Sequence, residues 1–322
     1  MKQYSLFFIV AIFLLASCEK EIEFKGGRVE PLLVLNGLLM PDSVVSIHLS
    51  ESRFFLSSEN EFKPVGNATV KLWKNGEAIA TFSEHENGYY IAPYRSKTGD
   101  RLRITASAPG LHPVECSTEI LPAPEILSAE ITKIQDELFD HEVSLTLRDP
   151  AALANYYRLN LYLKIYFSEE YFIYMPAHFH SDDAPFSTTE FPMGDFGNRY
   201  HIFTDAVFNG IEYPLKLQVV ARYDSKGDNE VDGSDSKKND PRDNIEPVNM
   251  ELYVDLQHIT KDYYLYLKSR SSARGNDFGG MFSEPTQIFN NIQGGIGILG
   301  SYASTIYKFP LEIPPPPAHD AP

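Results

Sequence analysis

The residue with the clearest chemistry is Cys18, which closes the run Leu15-Ala16-Ser17-Cys18 behind an apolar stretch that begins at Leu6. A membrane-spanning helix needs roughly 20 apolar residues, and this run has about half of that, so with Lys2 ahead of it and small residues behind it reads as an export signal over residues 1–17. Leu-Ala-Ser-Cys matches the bacterial lipobox. There the cysteine thiol receives a diacylglycerol, the chain is cleaved just ahead of it, and the acylated cysteine becomes the first residue. Each buried methylene of an acyl chain contributes roughly 0.8 kcal/mol, so several chains on Cys18 would anchor the protein in a bilayer. The other cysteine, Cys116, then has no partner for an intrachain disulfide and reads as a small buried apolar residue.

The remaining chemical candidates are weaker. His178 and His180 would share one side of a strand, and Asp182, Asp183 or His201 would complete a metal site around them. Asp228, Glu230 and Asp232, followed by Gly233, imitate the alternating oxygens of a calcium loop, but Asn239 stands where the twelfth-position glutamate belongs. Histidines in an aromatic, proline-broken stretch are more often packing or surface residues, and the acidic run reads as a solvated loop; no metal is expected at either. Gly295, Gly297 and Gly300 match the dinucleotide fingerprint letter for letter. That fingerprint aims a helix N-terminus at a pyrophosphate, and no helical pattern follows here, so close backbone packing or a bulge is expected and no cofactor. The adjacent pairs Glu169-Glu170 and Asp182-Asp183 would point to opposite faces of a strand and make a poor acid/base couple. With no metalloprotease pair, nucleophile elbow or phosphate loop, no catalytic residue is assigned and the chain is expected not to be an enzyme.

The chain has 322 residues, 43% of them hydrophobic and 22% charged, enough for two domains or one large one. Its net charge of -16 argues against nucleic acid as a partner and against attachment through a basic surface.

The elements that must carry these residues are mostly strands. Val45, Ile47 and Leu49 alternate with polar residues; Ala68, Val70 and Leu72 lead to Asn75-Gly76, a tight-turn signal, and the chain returns over residues 78–82; Leu102, Ile104 and Ala106 alternate again. These predict an Ig-like β-sandwich over residues 31–121, after a tether at 18–30. Pro122-Ala123-Pro124 reads as a stiff linker at 122–125. A second, larger β-sandwich-like domain is expected over 126–313, from alternation at Val143–Leu147, Leu159–Ile165, Leu215–Val219 and Val248–Leu256, with another hairpin at Asn209-Gly210. One helix is predicted near 260–275, capped by Thr260 and ended by Gly275, and a proline-rich tail fills 314–322. Aromatic residues make up 13% of the chain and crowd the stretch from Tyr156 to Tyr174, where exposed rings would stack on sugars or enter a partner's pocket and buried ones would fill the core.

The ordered segments LLVLNGLL, NATVKLWKNGE, DPAALANYYRLNLYLK, FTDAVFNGIEYPLKL, DYYLYLKSR and FSEPTQIFNNIQGGIGILGSYAST resemble the domain-of-unknown-function 4249 family of bacterial outer-membrane lipoproteins. The resemblance implies a surface-associated lipoprotein, commonly encoded near TonB-dependent outer-membrane receptors, and no established enzymatic activity or site residues. The expectation is a protein anchored in the outer membrane through acylated Cys18, facing the cell exterior and binding as an accessory to a TonB-dependent receptor. A structural or adhesive surface protein is the alternative and a hydrolase the third; the ligand is unknown.

Overall fold

The computed structural model describes residues 30–53, 62–136, 138–151, 153–186, 200–223, 247–276 and 287–312. They form a mainly β protein. The first part of the chain contains β1 (Leu33–Leu39), β2 (Val44–Glu51), β3 (Thr69–Lys74), β4 (Glu77–Thr81), β5 (Ser83–Glu84), β6 (Tyr89–Arg95), β7 (Arg101–Ser107) and β8 (Val114–Glu119). The second contains β9 (Glu125–Lys133), β10 (His141–Arg148), β11 (Tyr156–Tyr166), β12 (Phe172–Pro176), β13 (His178–His180), β14 (Ile202–Thr204), β15 (Glu212–Val220) and β16 (Asn249–Ile259). Helix α1 (Lys261–Asn276) follows, and the 16-residue strand β17 (Ile296–Leu311) comes last.

Alternation sets which face of each strand is buried. Val45, Ile47, Leu49, Val70, Leu72, Leu102, Ile104 and Ala106 all enter one core, between the β1-β2-β6-β5 strands and a facing four-stranded sheet ordered β4-β3-β7-β8. Val143 to Leu147, Leu159 to Ile165, Leu215 to Val219 and Met250 to Leu256 contribute their alternate residues to a second core, between β12-β11-β16-β17 and a sheet ordered β13-β15-β10-β9. Asn75 at φ 52° and Gly76 at φ 86° form the β3–β4 turn, both left-handed as a two-residue hairpin of this kind requires.

The two sandwiches share one sheet. Strands β1 and β17 run parallel, with Val34 opposite Ile296 and Leu39 opposite Ser301, and this seam joins the halves into nine strands. The first half of β17 lies beside β1, and the second half pairs with β16 from Tyr302 to Leu311. Leu299 therefore enters the first core, together with Ile292, while Phe309 and Leu311 enter the second. The first core is thus completed by residues far outside 31–121.

The linker is fixed at both ends. The Ser301 hydroxyl donates to the Glu119 carbonyl, Thr305 donates to Pro124 at 2.7 Å, and the His258 Nδ1–H donates to Pro122 at 3.1 Å. Proline removes donors from this stretch but leaves its carbonyls as acceptors, and β16 and β17 use them through His258 and Thr305.

Two local expectations are corrected. Asn209-Gly210 is a turn between β14, which pairs with β11, and β15 in the facing sheet, so it joins layers and is not a hairpin. The Asp149 carboxylate accepts from the Gly210 N–H at 2.9 Å and the Asp205 carboxylate accepts from the Asn209 amide at 3.0 Å, which holds the chain in this crossing path. Thr260 precedes α1 as expected, but its hydroxyl accepts from the Ser301 N–H at 3.2 Å and docks on β17 in place of capping the helix. The helix continues through Gly275 to Asn276. Its Tyr263, Tyr264 and Leu267 pack on Ile202 and Ile259 at one end of the large sheet's outer face. No helix among the described residues is long and apolar enough to cross a membrane.

Candidate functional site

Cys18 and the acidic trio Asp228, Glu230 and Asp232 lie outside the described residues. The histidine pair lies within them, on β13, with His178 and His180 turned outward and Phe179 buried between them. His180 Nε2 is 3.0 Å from Asp182 Oδ1, and its ring stacks on Phe139 at 6.1 Å. Of the three proposed third ligands Asp182 is thus beside His180, and the other two are engaged elsewhere. His201 packs on the buried Phe179 at 4.3 Å, and Asp183 accepts from the Lys216 N–H at 2.6 Å. Among the described residues no group of three His, Cys, Asp or Glu side chains is arranged to hold a metal ion.

The Gly295-to-Gly300 segment runs into β17; Gly295 and Gly297 serve the parallel seam, and Gly300 makes room for Tyr263 at the start of α1. A Cβ on Gly297, whose φ is 128°, would sit 2.0 Å from the Leu35 carbonyl oxygen; one on Gly295 would sit 2.3 Å from that of Leu33. Glu169 and Glu170 are exposed in the β11–β12 turn. Two buried carboxylates that sequence spacing did not single out, Asp149 and Asp205, are both occupied. Asp149 accepts from the Tyr157 hydroxyl at 2.6 Å as well as from Gly210, and Asp205 accepts from the Asn155 backbone N–H at 2.7 Å as well as from Asn209. These bonds tie loops together.

A shallow depression of about 540 Å³ lies beside Trp73 on the first sandwich. The Arg103 guanidinium covers the indole at 4.4 Å and also bonds Glu115 at 3.1 Å, so its charges are paired with each other.

The outer face of the large sheet is different. Register aligns side chains across β11, β16 and β17 in rows: Arg158, Gln257 and Ser304; Asn160, Asp255 and Ile306; Tyr162, Tyr253 and Lys308; Lys164, Glu251 and Pro310. Leucine, isoleucine, valine and methionine at the intervening positions enter the core, so every residue in these rows is directed away from it. Toward the β12 edge the face is aromatic. Tyr162 stacks on Tyr253 at 4.8 Å and meets Tyr174 edge-on at 5.6 Å, and Tyr174 meets Phe172 at 5.5 Å. Lys164 lies 4.0 Å from the Phe172 ring centre and 4.6 Å from that of Tyr166; its hydrogen bond to Tyr166 raises its pKa, which keeps it a cation. Burial, aided by hydrogen bonding to Glu251, lifts the Tyr253 phenol well above its ordinary range. Tyr174 is 56% exposed and Phe172 41%.

Toward α1 the same face is polar. The Gln257 amide donates to Asp255 Oδ2 at 2.7 Å, and Arg158 Nη1 donates to the Tyr263 hydroxyl at 3.2 Å. Asp255 Oδ1, Gln257 Oε1 and Arg158 Nε are buried and find no hydrogen-bond partner among the described residues. Sequence reasoning passed over these three residues. Their signal was the chemistry at the outward positions of two strands, Arg-Asn-Tyr-Lys on one and Glu-Tyr-Asp-Gln on the other, but only the register sets them side by side.

The family model described as "Domain of unknown function (DUF4249)" matches residues 19–308. No curated protein matches the chain. Among solved structures, a beta-glucuronidase from glycoside hydrolase family 2 aligns at 11% identity with a TM-score of 0.18, over 71% of this chain and 19% of that one. The chain thus spans about a fifth of that enzyme's length.

Proposed function

Because the chain belongs to the DUF4249 family, a family named for no activity, we propose that it is an outer-membrane lipoprotein, anchored through Cys18, that works by binding as an accessory to a TonB-dependent receptor. The observation that carries the binding reading is the aromatic edge of the large sheet. Phe172, Tyr174 and the lysine among their rings present a mostly exposed apolar surface on an edge strand, and aromatic residues are enriched at interface centres. Tethering supports it too, since a lipid-anchored protein searches only the membrane surface and a modest interface stays occupied at millimolar effective concentration. Catalysis has less support, since Asp149 and Asp205, buried in the second sandwich, are spent on loops.

Two experiments test the two parts. Cys18→Ala is expected to release the protein from the membrane or leave an uncleaved precursor, read by fractionation; a variant still cleaved ahead of residue 18 and still membrane-bound after a high-salt wash refutes the anchor. For the partner, crosslinking in intact cells compares the full chain with Phe172→Ser/Tyr174→Ser. The full chain should recover a receptor and the variant, at equal abundance, much less. Equal recovery would move the contact elsewhere on the molecule, and no recovery by either would leave the structural or adhesive reading.

A further inference from the structure

We propose that the two loops leading into β11 and β15 form an uncharged tip that dips into a lipid surface. The inference rests on the reading of the chain as lipid-anchored and adds a second contact with the same bilayer.

The loop of residues 149–155 joins β10 to β11, and that of residues 205–211 joins β14 to β15. Each holds the other through a buried aspartate. Asp149 accepts from the Gly210 N–H at 2.9 Å, and Asp205 accepts from the Asn155 N–H at 2.7 Å and from its side-chain amide at 3.2 Å. The loops are so close that a Cβ on Gly210 would sit 2.6 Å from that of Ala151. What this framework holds out is aliphatic: Leu153 is 77% exposed, Ile211 54% and Val207 50%. Large apolar side chains gathered in water mark a contact surface.

Charge, backbone and direction all point to lipid as the occupant. None of residues 150–155 or 206–211 is charged in a chain of net charge -16, and Arg148 behind them is paired with Glu125 and Glu212, each at 2.8 Å. An acidic protein is repelled by anionic headgroups, so a tip free of exposed carboxylates is the part that can enter. The Phe208 and Ile211 N–H groups donate to the Asp205 and Phe208 carbonyls, and that of Gly210 to the Asp149 carboxylate, so these donors are satisfied within the loops as a segment leaving water requires. Strand β1 runs parallel to β17, and β11 and β17 both run antiparallel to β16. The loop into β11 therefore lies at the end of the sheet from which the chain, coming from Cys18, enters β1. A protein partner fits less well. Specific protein interfaces bury about 1,200–2,000 Å² and favour aromatic residues and arginine, whereas this tip offers three aliphatic side chains.

The test uses the full chain purified from membranes and reconstituted in phosphatidylethanolamine vesicles, with Val207→Cys carrying an environment-sensitive dye. Cys116 does not take the dye, since it is buried and its thiol is pushed up to about 12. The dye at position 207 should shift to the blue and lose about half of its emission or more to lipids bearing a nitroxide on the acyl chain. A dye at Ile79→Cys, also exposed but on the first sandwich, should do neither. Adding Ile211→Asp should remove the quenching at position 207 at unchanged melting temperature. No change at position 207 would overturn the proposal. So would a blue shift without lipid quenching, which would mean that a second copy covers the tip, or equal quenching at positions 79 and 207. Mass spectrometry of the same sample reads the acylation of Cys18: acylation without quenching removes this inference alone, and quenching on a chain without acyl groups removes the anchor alone.

Discussion

At the scale of single residues, burial decides which groups stay chemically quiet. The Cys116 thiol is pushed up to about 12 by desolvation, with Glu115 adding to the effect, so it is not a nucleophile at neutral pH. His258 stacks on Tyr157 at 5.5 Å, and burial holds its imidazole below the ordinary value of 6.5 despite its hydrogen bond to Pro122. The sign follows from proton uptake. Below about 6.5 the unfolded chain takes up a proton that the folded one resists, so stability present above that pH is lost as pH falls through the folded value. His258→Phe keeps the stack but loses the linker contact. It should cost about 1 kcal/mol at pH 7 and flatten the fall in melting temperature between pH 7 and pH 5. An unchanged pH slope in thermal scans would exclude His258 as its source.

At the scale of elements, two glycines that look alike in sequence have different work. Gly76 sits at positive φ with open space around it, so Gly76→Ala should cost only the backbone strain, about 1 kcal/mol. Gly297→Ala adds a methyl against the Leu35 carbonyl in a conformation side chains avoid, and should cost roughly 3 kcal/mol or more by prising β1 from β17. Chemical denaturation of both variants checks the order; equal costs would mean that the seam yields. Strands were legible because alternation of Val, Ile and Leu with polar residues is a local signal, and the β3–β4 turn because Asn75-Gly76 is one too. The parallel seam was not, since the pairing of Val34 with Ile296 leaves no mark within either segment. For the same reason Asn209-Gly210 resembled a hairpin until its flanking strands proved to lie in different sheets. The aromatic half of the candidate site was visible as a run of rings; the polar half needed the register of β11 on β16.

At the scale of the whole molecule, the shared sheet makes the sandwiches interdependent. A fragment of residues 31–121 would leave β1 without its parallel neighbour and the first core without Leu299, a fully buried side chain whose loss alone is worth roughly 2–5 kcal/mol. That fragment should show no cooperative unfolding and collapsed amide dispersion by NMR, and a sharp transition would contradict the interdependence. For this reason the crosslinking comparison uses point substitutions and keeps the C-terminal part. The seam also dictates an order of events. Synthesis delivers β1 first and β17 last of the described strands, so the large sheet cannot close until β17 has arrived. Contacts so distant in sequence are slow to form, and until then β1 offers a bare edge to any other strand. A nascent chain of this protein is therefore a natural client for a holding chaperone.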